Sequence, residues 1–75
     1  GSGETKINLG STLRVESQGK ERNFTVVGAQ EADPAEGMIS NESPIGMAFI
    51  GKKVGDSITV NVPNGTKTYK IIEIK

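Results

Sequence analysis

Apolar and polar residues alternate along much of the chain, which is the pattern of half-buried β-strands. Over residues 12–16 the apolar side chains fall on one face and the polar side chains on the other. A polar break at Gln18-Gly19-Lys20 follows, where a tight turn favours glycine. The second segment, residues 23–29, has Phe24 and Val26 on one face and Thr25 and Val27 on the other. The two segments predict a β-hairpin, and a short third strand is predicted over Met38–Ser40.

The C-terminal third of the chain carries a second hairpin pattern. Apolar residues at positions 58, 60 and 62 precede Asn64-Gly65, a pair that favours the positive φ angles of a type I′ turn. The final strand is predicted over residues 66–74, and it is either covered on both sides or changes faces midway. Its two apolar pairs, one on each face, are Tyr69 with Ile71 and Ile72 with Ile74.

One helix is predicted, over residues 44–50. Ser43 is a favourable N-cap, and Pro44 occupies the first helical position, where its missing N–H does no harm. Gly51 can adopt the left-handed conformation that closes the helix. The helical period places Ile45, Ala48 and Phe49 on the core-facing stripe, with Met47 and Ile50 on the other side.

The amino-acid composition excludes several kinds of catalytic and binding site. The 75 residues suffice for one small domain, with nine Lys+Arg against nine Asp+Glu and neither Cys nor His. A disulfide framework, a thiolate nucleophile and the usual general base near neutral pH are therefore excluded. Zero net charge argues against a strong nucleic-acid binder, and no apolar run approaches the ~20 residues that cross a bilayer. Ile and Val outnumber Leu by 14 to 2, which favours strands over helices.

The remaining candidates for chemistry are weak. Glu31, Asp33 and Glu36 offer oxygen ligands suited to Mg²⁺ or Ca²⁺, but they lack the spacing of a calcium-binding loop, so a solvated acidic loop is the better interpretation. The serines have no histidine, and no clearly placed lysine, to activate them. We therefore predict no catalytic residue, no metal site and no cofactor.

Residues 41–47 join a loop to the predicted helix start. On physical grounds this segment is either a capped helix in which Met47 is simply exposed, or a protein-docking tip. In the second interpretation Pro44 and Ile45 give a rigid apolar contact and Glu42 gives a charged one. Both interpretations stay open on the residues alone.

Three stretches of the chain are distinctive as strings. They are Glu31-Ala32-Asp33-Pro34 with Glu36-Gly37-Met38-Ile39-Ser40, then Ser43-Pro44-Ile45-Gly46 through Val54-Gly55-Asp56, and Pro63-Asn64-Gly65 before the last strand. In this order they closely resemble the C-terminal domain of the bacterial transcript cleavage factors GreA and GreB, more closely GreA. The resemblance extends over residues 7–75.

The resemblance implies an α+β, FKBP-like fold: a twisted, mainly antiparallel sheet of about five strands with one short helix packed on it. It also implies a role. In this family the C-terminal domain docks on bacterial RNA polymerase, on the β′ coiled coil at the rim of the secondary channel. An N-terminal coiled coil reaches into the channel, and acidic residues at its tip help to hold Mg²⁺ while the polymerase cuts its own backtracked RNA.

The family's docking contacts fall on Glu42, Ser43 and Pro44, with Ile45 beside them and Met47 where the family often has arginine. We therefore expect a binding module, not an enzyme. The resemblance implies that its partner is RNA polymerase, within the DNA-binding transcription machinery of the bacterial cytoplasm. For the domain itself we expect a monomer with no strong nucleic-acid binding and no membrane association.

The chain shows no heptad pattern, so the family's N-terminal coiled coil is expected to be absent. Residues 1–3 are expected to be a scar of recombinant expression, and residues 4–75 a single domain. Two other functions stay open. One is a peptidyl-prolyl isomerase, since the implied fold is shared with such enzymes, although an aromatic pocket is missing from the sequence. The other is the docking domain of a Gre-like polymerase inhibitor.

Overall fold

The computed structural model describes residues 6–75, which form five strands, one α-helix and two 3₁₀ helices. The predicted scar at residues 1–3 and the start of the predicted domain lie outside the described residues. The five strands and the helix that the sequence predicts are all present. Their bounds are β1 Thr12–Ser17, β2 Lys20–Val27, β3 Met38–Ser40, α1 Pro44–Phe49, β4 Ser57–Val62 and β5 Gly65–Ile74, and the 3₁₀ helices span Ala29–Glu31 and Pro34–Glu36.

The strands form one sheet in the order β3-β2-β1-β5-β4. Strand pairs β1–β2, β1–β5 and β4–β5 are antiparallel, whereas β2 and β3 run parallel. The parallel pair arises because the acidic segment with its two 3₁₀ helices carries the chain back as far as Thr25, so that β3 runs alongside the last three residues of β2. The sheet is thus mixed but mainly antiparallel, and with the short helix packed on it the predicted α+β architecture is confirmed.

The core lies on one face of the sheet, beneath α1. Three rings meet there, with centroid separations of 5.8 to 6.0 Å among Phe24, Phe49 and Tyr69. Phe49 is fully buried, and Ile45 and Ala48 pack against the same cluster, as the helical stripe predicts. The buried apolar residues of the described chain are Ile7, Leu13, Val15, Phe24, Val26, Ile39, Phe49, Ile58, Tyr69 and Ile71.

A β-bulge in β5 explains why both faces of the last strand are apolar. Arg14 pairs with Glu73 while Val15 pairs with Ile71, so Ile72 is an extra residue in β5. The extra residue inverts the alternation, and Ile74 therefore packs against the core on the same side as Ile71. Of the two predicted alternatives, the change of faces midway is correct.

The predicted type I′ turn at Asn64-Gly65 is wrong. The loop of the C-terminal hairpin is Pro63-Asn64, since Val62 pairs directly with Gly65. A type I′ turn needs positive φ at both central residues, but Pro63 is restricted to negative φ and Asn64 has no positive φ. Gly65 does have a positive φ of 134°, but it is already the first residue of β5.

The first hairpin has the pair of positive φ angles that we predicted for the second. Its turn is Gln18-Gly19, with φ of 54° and 79°, between Ser17 and Lys20. Strand β2 therefore begins at Lys20 instead of residue 23, and it ends at Val27, before residue 29. Within residues 6–75, no helix has the length and apolar character needed to cross a membrane.

Candidate functional site

The loop that leads from β3 into α1 is held by its own serines. Ser43 donates its backbone N–H to the Ser40 carbonyl oxygen at 3.1 Å, and its hydroxyl donates to the same oxygen at 2.7 Å. That hydroxyl also accepts the N–H of Gly46 at 3.1 Å, which is the N-cap bond that the sequence predicts. The Ser40 hydroxyl accepts the N–H of Glu42 at 3.0 Å. We call residues 40–46, fastened in this way, the serine-clamped turn.

Gly46 lets the helix lie directly against the end of β3. It is buried, and an added Cβ would stand 1.9 Å from the Ser40 carbonyl oxygen and 2.8 Å from the Ser40 carbonyl carbon. Both atoms belong to the backbone of a paired strand, because Ser40 is in register with Val27 of β2. Only glycine therefore fits at this position.

The far end of α1 is attached to the N-terminal segment. The helix ends at Phe49, and Ile50 and Gly51 form a turn closed by the Lys52 N–H donating to the Phe49 carbonyl oxygen at 3.0 Å. Gly51 has the predicted positive φ, 87°, but it belongs to this turn and not to the helix cap itself. Its N–H donates to the Ile7 carbonyl oxygen at 2.8 Å. The short helix is thus fixed at both ends.

The five residues predicted to dock lie together at the serine-clamped turn and on the first turns of α1, but they divide into two groups. Glu42 and Pro44 are exposed, and Met47 retains 59% of its surface. Pro44 and Met47 are three residues apart on the helix and hence neighbours on its surface. Ser43 and Ile45 are half-buried: Ser43 uses its hydroxyl in the clamp, and Ile45 packs against the core.

Glu42 makes no ion pair with any of residues 6–75. In that part of the chain the ion pairs involve Arg14, which lies 3.7 Å from Glu21 and also contacts Glu73. Within the described part of the chain, the exposed charge at the turn is therefore unpaired. The acidic residues Glu31, Asp33 and Glu36 are exposed, and no group of three ligating side chains within the described residues could hold a metal ion.

The roles of Ser40 and Gly46 were not predicted from the sequence, although the sequence contains an indication of each. Glycine inside a short predicted helix indicates close approach of another backbone. A serine three residues before a predicted N-cap is placed to fasten the turn through its own carbonyl and hydroxyl. What no local pattern indicates is that the approaching backbone belongs to β3, since this depends on where the sheet places that strand.

Of the three aromatic residues, Phe24 lines an opening among the described residues, together with Arg22 and Glu36, and it supplies a single ring there. Phe24, Phe49 and Tyr69 are exposed by 9%, 0% and 5%, because they pack against one another in the core. An apolar pocket for a prolyl side chain would need such rings at its walls. This arrangement argues against the peptidyl-prolyl isomerase alternative.

Comparison with known proteins gives consistent results for sequence and structure. The family model for the transcription elongation factor GreA/GreB C-terminal domain matches residues 2–75. The transcription elongation factor GreA of Clostridium acetobutylicum is 54% identical over 71 residues, covering 92% of this chain and 45% of that protein. GreA of Chloroflexus aggregans is 43% identical over 74 residues, covering 99% of this chain and 47% of that protein.

Solved structures give the same assignment. GreA factor homolog 1 of Thermus thermophilus superimposes with a TM-score of 0.85 at 30% identity, covering 96% of this chain and 49% of that one. A GreA/GreB elongation factor from Nitrosomonas europaea gives a TM-score of 0.80 at 28% identity, covering 92% and 59%. The chain spans about half the length of the curated relatives that it matches. It belongs to the GreA/GreB family of transcription elongation factors and corresponds to their C-terminal domain.

Proposed function

We propose that the chain is a docking module that binds bacterial RNA polymerase through the serine-clamped turn and the adjoining Met47 of α1. The observation that carries this proposal is that different residues fix the backbone and form the surface. The serines and Gly46 fix the backbone, while Glu42, Pro44 and Met47 remain exposed. A contact surface that is already rigid loses little conformational entropy on binding. The exposed side chains do not hold the turn, so they are available to contact a partner.

The chemistry of the turn fits a small protein–protein contact. Pro44 and Met47 form one adjacent apolar pair, and two residues before Pro44 the exposed Glu42 carries a carboxylate that forms no ion pair with any of residues 6–75. An apolar centre with a charge at its edge is the usual composition of a binding hot spot and its surroundings. Ser43 and Ile45 belong to the same site as positioning residues, because their side chains hold the turn and not a ligand.

Membership of the GreA/GreB family supports RNA polymerase as the partner. We propose contact with the β′ coiled coil at the rim of the secondary channel, with a basic residue of the polymerase opposite Glu42. The domain would act in the bacterial cytoplasm as a monomer. It would supply affinity and orientation, while the chemistry of RNA cleavage belongs to the polymerase.

A whole factor of GreA type would use this docking to promote cleavage of backtracked RNA. The matched curated relatives named GreA, at 43% and 54% identity, favour that type over a polymerase inhibitor. The 75-residue chain alone should therefore displace a fluorescent full-length GreA from core polymerase without stimulating RNA cleavage. Cleavage stimulated by the isolated chain would contradict the assignment of a pure binding module.

Two pairs of variants test the site. Glu42→Lys and Met47→Ala should each weaken binding to core polymerase by about tenfold, which corresponds to about 1.4 kcal/mol. Glu36→Lys makes the same charge reversal at an exposed site elsewhere, and Leu9→Ala truncates a side chain that is 60% exposed, against 59% for Met47. Both controls should bind within about twofold of the parent chain. Fluorescence anisotropy with labelled chain measures the affinities, and circular dichroism measures the thermal melts.

The two readouts separate docking from folding. The melts of the Glu42 and Met47 variants should stay close to that of the parent, since neither side chain is buried. If the control variants weaken polymerase binding as much as Glu42→Lys and Met47→Ala do, the serine-clamped turn is not the docking site.

A further inference from the structure

The core face of the sheet continues beyond the aromatic cluster, and there it becomes cationic. Val15 faces the core and pairs with Arg22, and two residues further Ser17 pairs with Lys20. Side chains two residues apart on a strand share a face, so these four lie on the same side of the sheet. Lys67 of β5 lies two residues before the buried Tyr69 and therefore shares that side as well.

These side chains surround a cleft at the hairpin end of the sheet. Its volume is about 350 Å³, near the lower end of the ~300–1,000 Å³ range of small-ligand sites. The residues that line it are Ser17, Gln18, Lys20, Glu21, Arg22 and Lys67. We call this opening the hairpin cleft.

The cations of the hairpin cleft have no acidic partner in the described chain. Lys20 and Arg22 form no ion pair with any of residues 6–75. The ammonium of Lys67 lies 5.4 Å from the centre of the Tyr69 ring, a cation–π contact that holds it over the core face. Glu21 also lines the hairpin cleft, but its side chain alternates to the opposite face of β2, and its carboxylate lies 3.7 Å from Arg14.

Ser17 is the second, independent observation. The residue is only 7% exposed, and its hydroxyl oxygen is buried without a hydrogen-bond partner in the described chain. A buried hydroxyl without a partner is destabilising, so native proteins rarely keep one. Its position in the wall of a cleft that also carries three cations points to a ligand with acceptor oxygens.

We propose that the hairpin cleft binds a phosphate-bearing ligand. Phosphate carries about two negative charges and several acceptor oxygens, which match the guanidinium of Arg22, the two ammonium groups and the Ser17 hydroxyl. A single carboxylate would leave most of these donors unused. Because the whole chain has zero net charge, binding depends on this local cluster and not on long-range attraction.

Titration of the ¹⁵N-labelled chain with inorganic pyrophosphate tests the proposal. Saturable amide shifts should appear at residues 17–22 and at Lys67 and remain small at the serine-clamped turn. The double variant Arg22→Gln/Lys67→Gln should raise the dissociation constant by at least about tenfold, since two charge-assisted contacts are lost. Lys70→Gln is the matched control: Lys70 is exposed, and its pairing with Glu16 places it on the other face. It should change the dissociation constant by less than about twofold.

Ser17→Ala separates ligand binding from folding. It should weaken pyrophosphate binding by about threefold or more while the melting temperature does not fall, because the hydroxyl has no partner to lose within the fold. A fall in melting temperature of several degrees, with pyrophosphate binding unchanged, would assign the hydroxyl to the fold and overturn its part in the site.

Two further titrants identify the source of the phosphate. Tighter binding of hexauridylate than of pyrophosphate, with a steep salt dependence, would assign the cleft to a phosphodiester backbone; the reverse order would assign it to a free diphosphate. The proposal is overturned if pyrophosphate gives no saturable shifts, or if Lys70→Gln weakens binding as much as the double variant. Shifts with hexaglutamate alone would likewise overturn it, since the cleft would then be a site for acidic protein.

Discussion

The two ends of the core face use their polar groups in opposite ways. At the serine-clamped turn, the hydroxyls of Ser40 and Ser43 are occupied by backbone groups of the same turn. At the hairpin cleft, the Ser17 hydroxyl is buried without a partner among the described residues, and Arg22 forms no ion pair with any of them. At the serine-clamped turn the serine hydroxyls are hydrogen-bonded within the turn, and the side chains that remain exposed are not needed for the fold. At the hairpin cleft the donors lack partners within the described residues, and these donors are themselves the candidates for binding a ligand.

The largest expected effect tests how tightly the turn is closed. Gly46→Ala places a Cβ 1.9 Å from the Ser40 carbonyl oxygen, so either β3 or α1 must move. We expect the free energy of unfolding to fall by about 3 kcal/mol or more, measured by urea denaturation. The control is Gly28→Ala, where the added Cβ meets only the end of the Glu31 side chain at 2.9 Å and φ is negative. A similar small loss in both variants would contradict the close packing of α1 on β3.

The next effect tests the cap itself. Ser43→Ala removes both the bond to the Ser40 carbonyl oxygen and the acceptor for the Gly46 N–H. The free energy of unfolding should fall by about 1–2 kcal/mol, the upper part of the range for N-cap serines, because two hydrogen bonds are lost. Ser57→Ala, at an exposed strand position, should change it by less than about 0.5 kcal/mol. Equal effects at the two serines would mean that the clamp does not fix the turn.

The smallest effect is expected at the hairpin cleft. Arg22→Gln removes a cation that has no ion-pair partner in residues 6–75 and lies on the same face as Lys20 and Lys67. The free energy of unfolding should change by less than about 0.5 kcal/mol. At low salt it should rise slightly, because the repulsion between like charges is reduced. If the free energy of unfolding falls by more than about 1 kcal/mol in the same urea experiment, Arg22 stabilises the fold and is not available for a ligand.

Much of the secondary structure could be predicted from the sequence alone. The strands and the helix were predictable because their signals are local: period-two alternation in the strands, and Ser43-Pro44 at the helix start. The core stripe of α1 followed from the helical period, and Phe49 is buried as that period requires.

Features that depend on a neighbouring strand could not be predicted. The bulge at Ile72 is defined by the partner strand β1, and the space at Gly46 is defined by the end of β3. The type I′ assignment at Asn64-Gly65 failed for a different reason, since the proline preceding the pair starts the turn one residue earlier. The docking residues were suggested by resemblance, while the hairpin cleft arises only when β1, β2 and β5 are brought side by side.

The central claim is that the serine-clamped turn and the adjoining Met47 form the docking surface, and site-directed photo-crosslinking to core RNA polymerase tests it most directly. With benzoylphenylalanine in place of Met47, illumination of the complex should attach the chain to the β′ subunit, and excess unlabelled parent chain should abolish the product. The same substitution at Lys70, which is exposed on the other face of the sheet, should give no such product. Crosslinking to β′ from position 70 and none from position 47 would contradict the account.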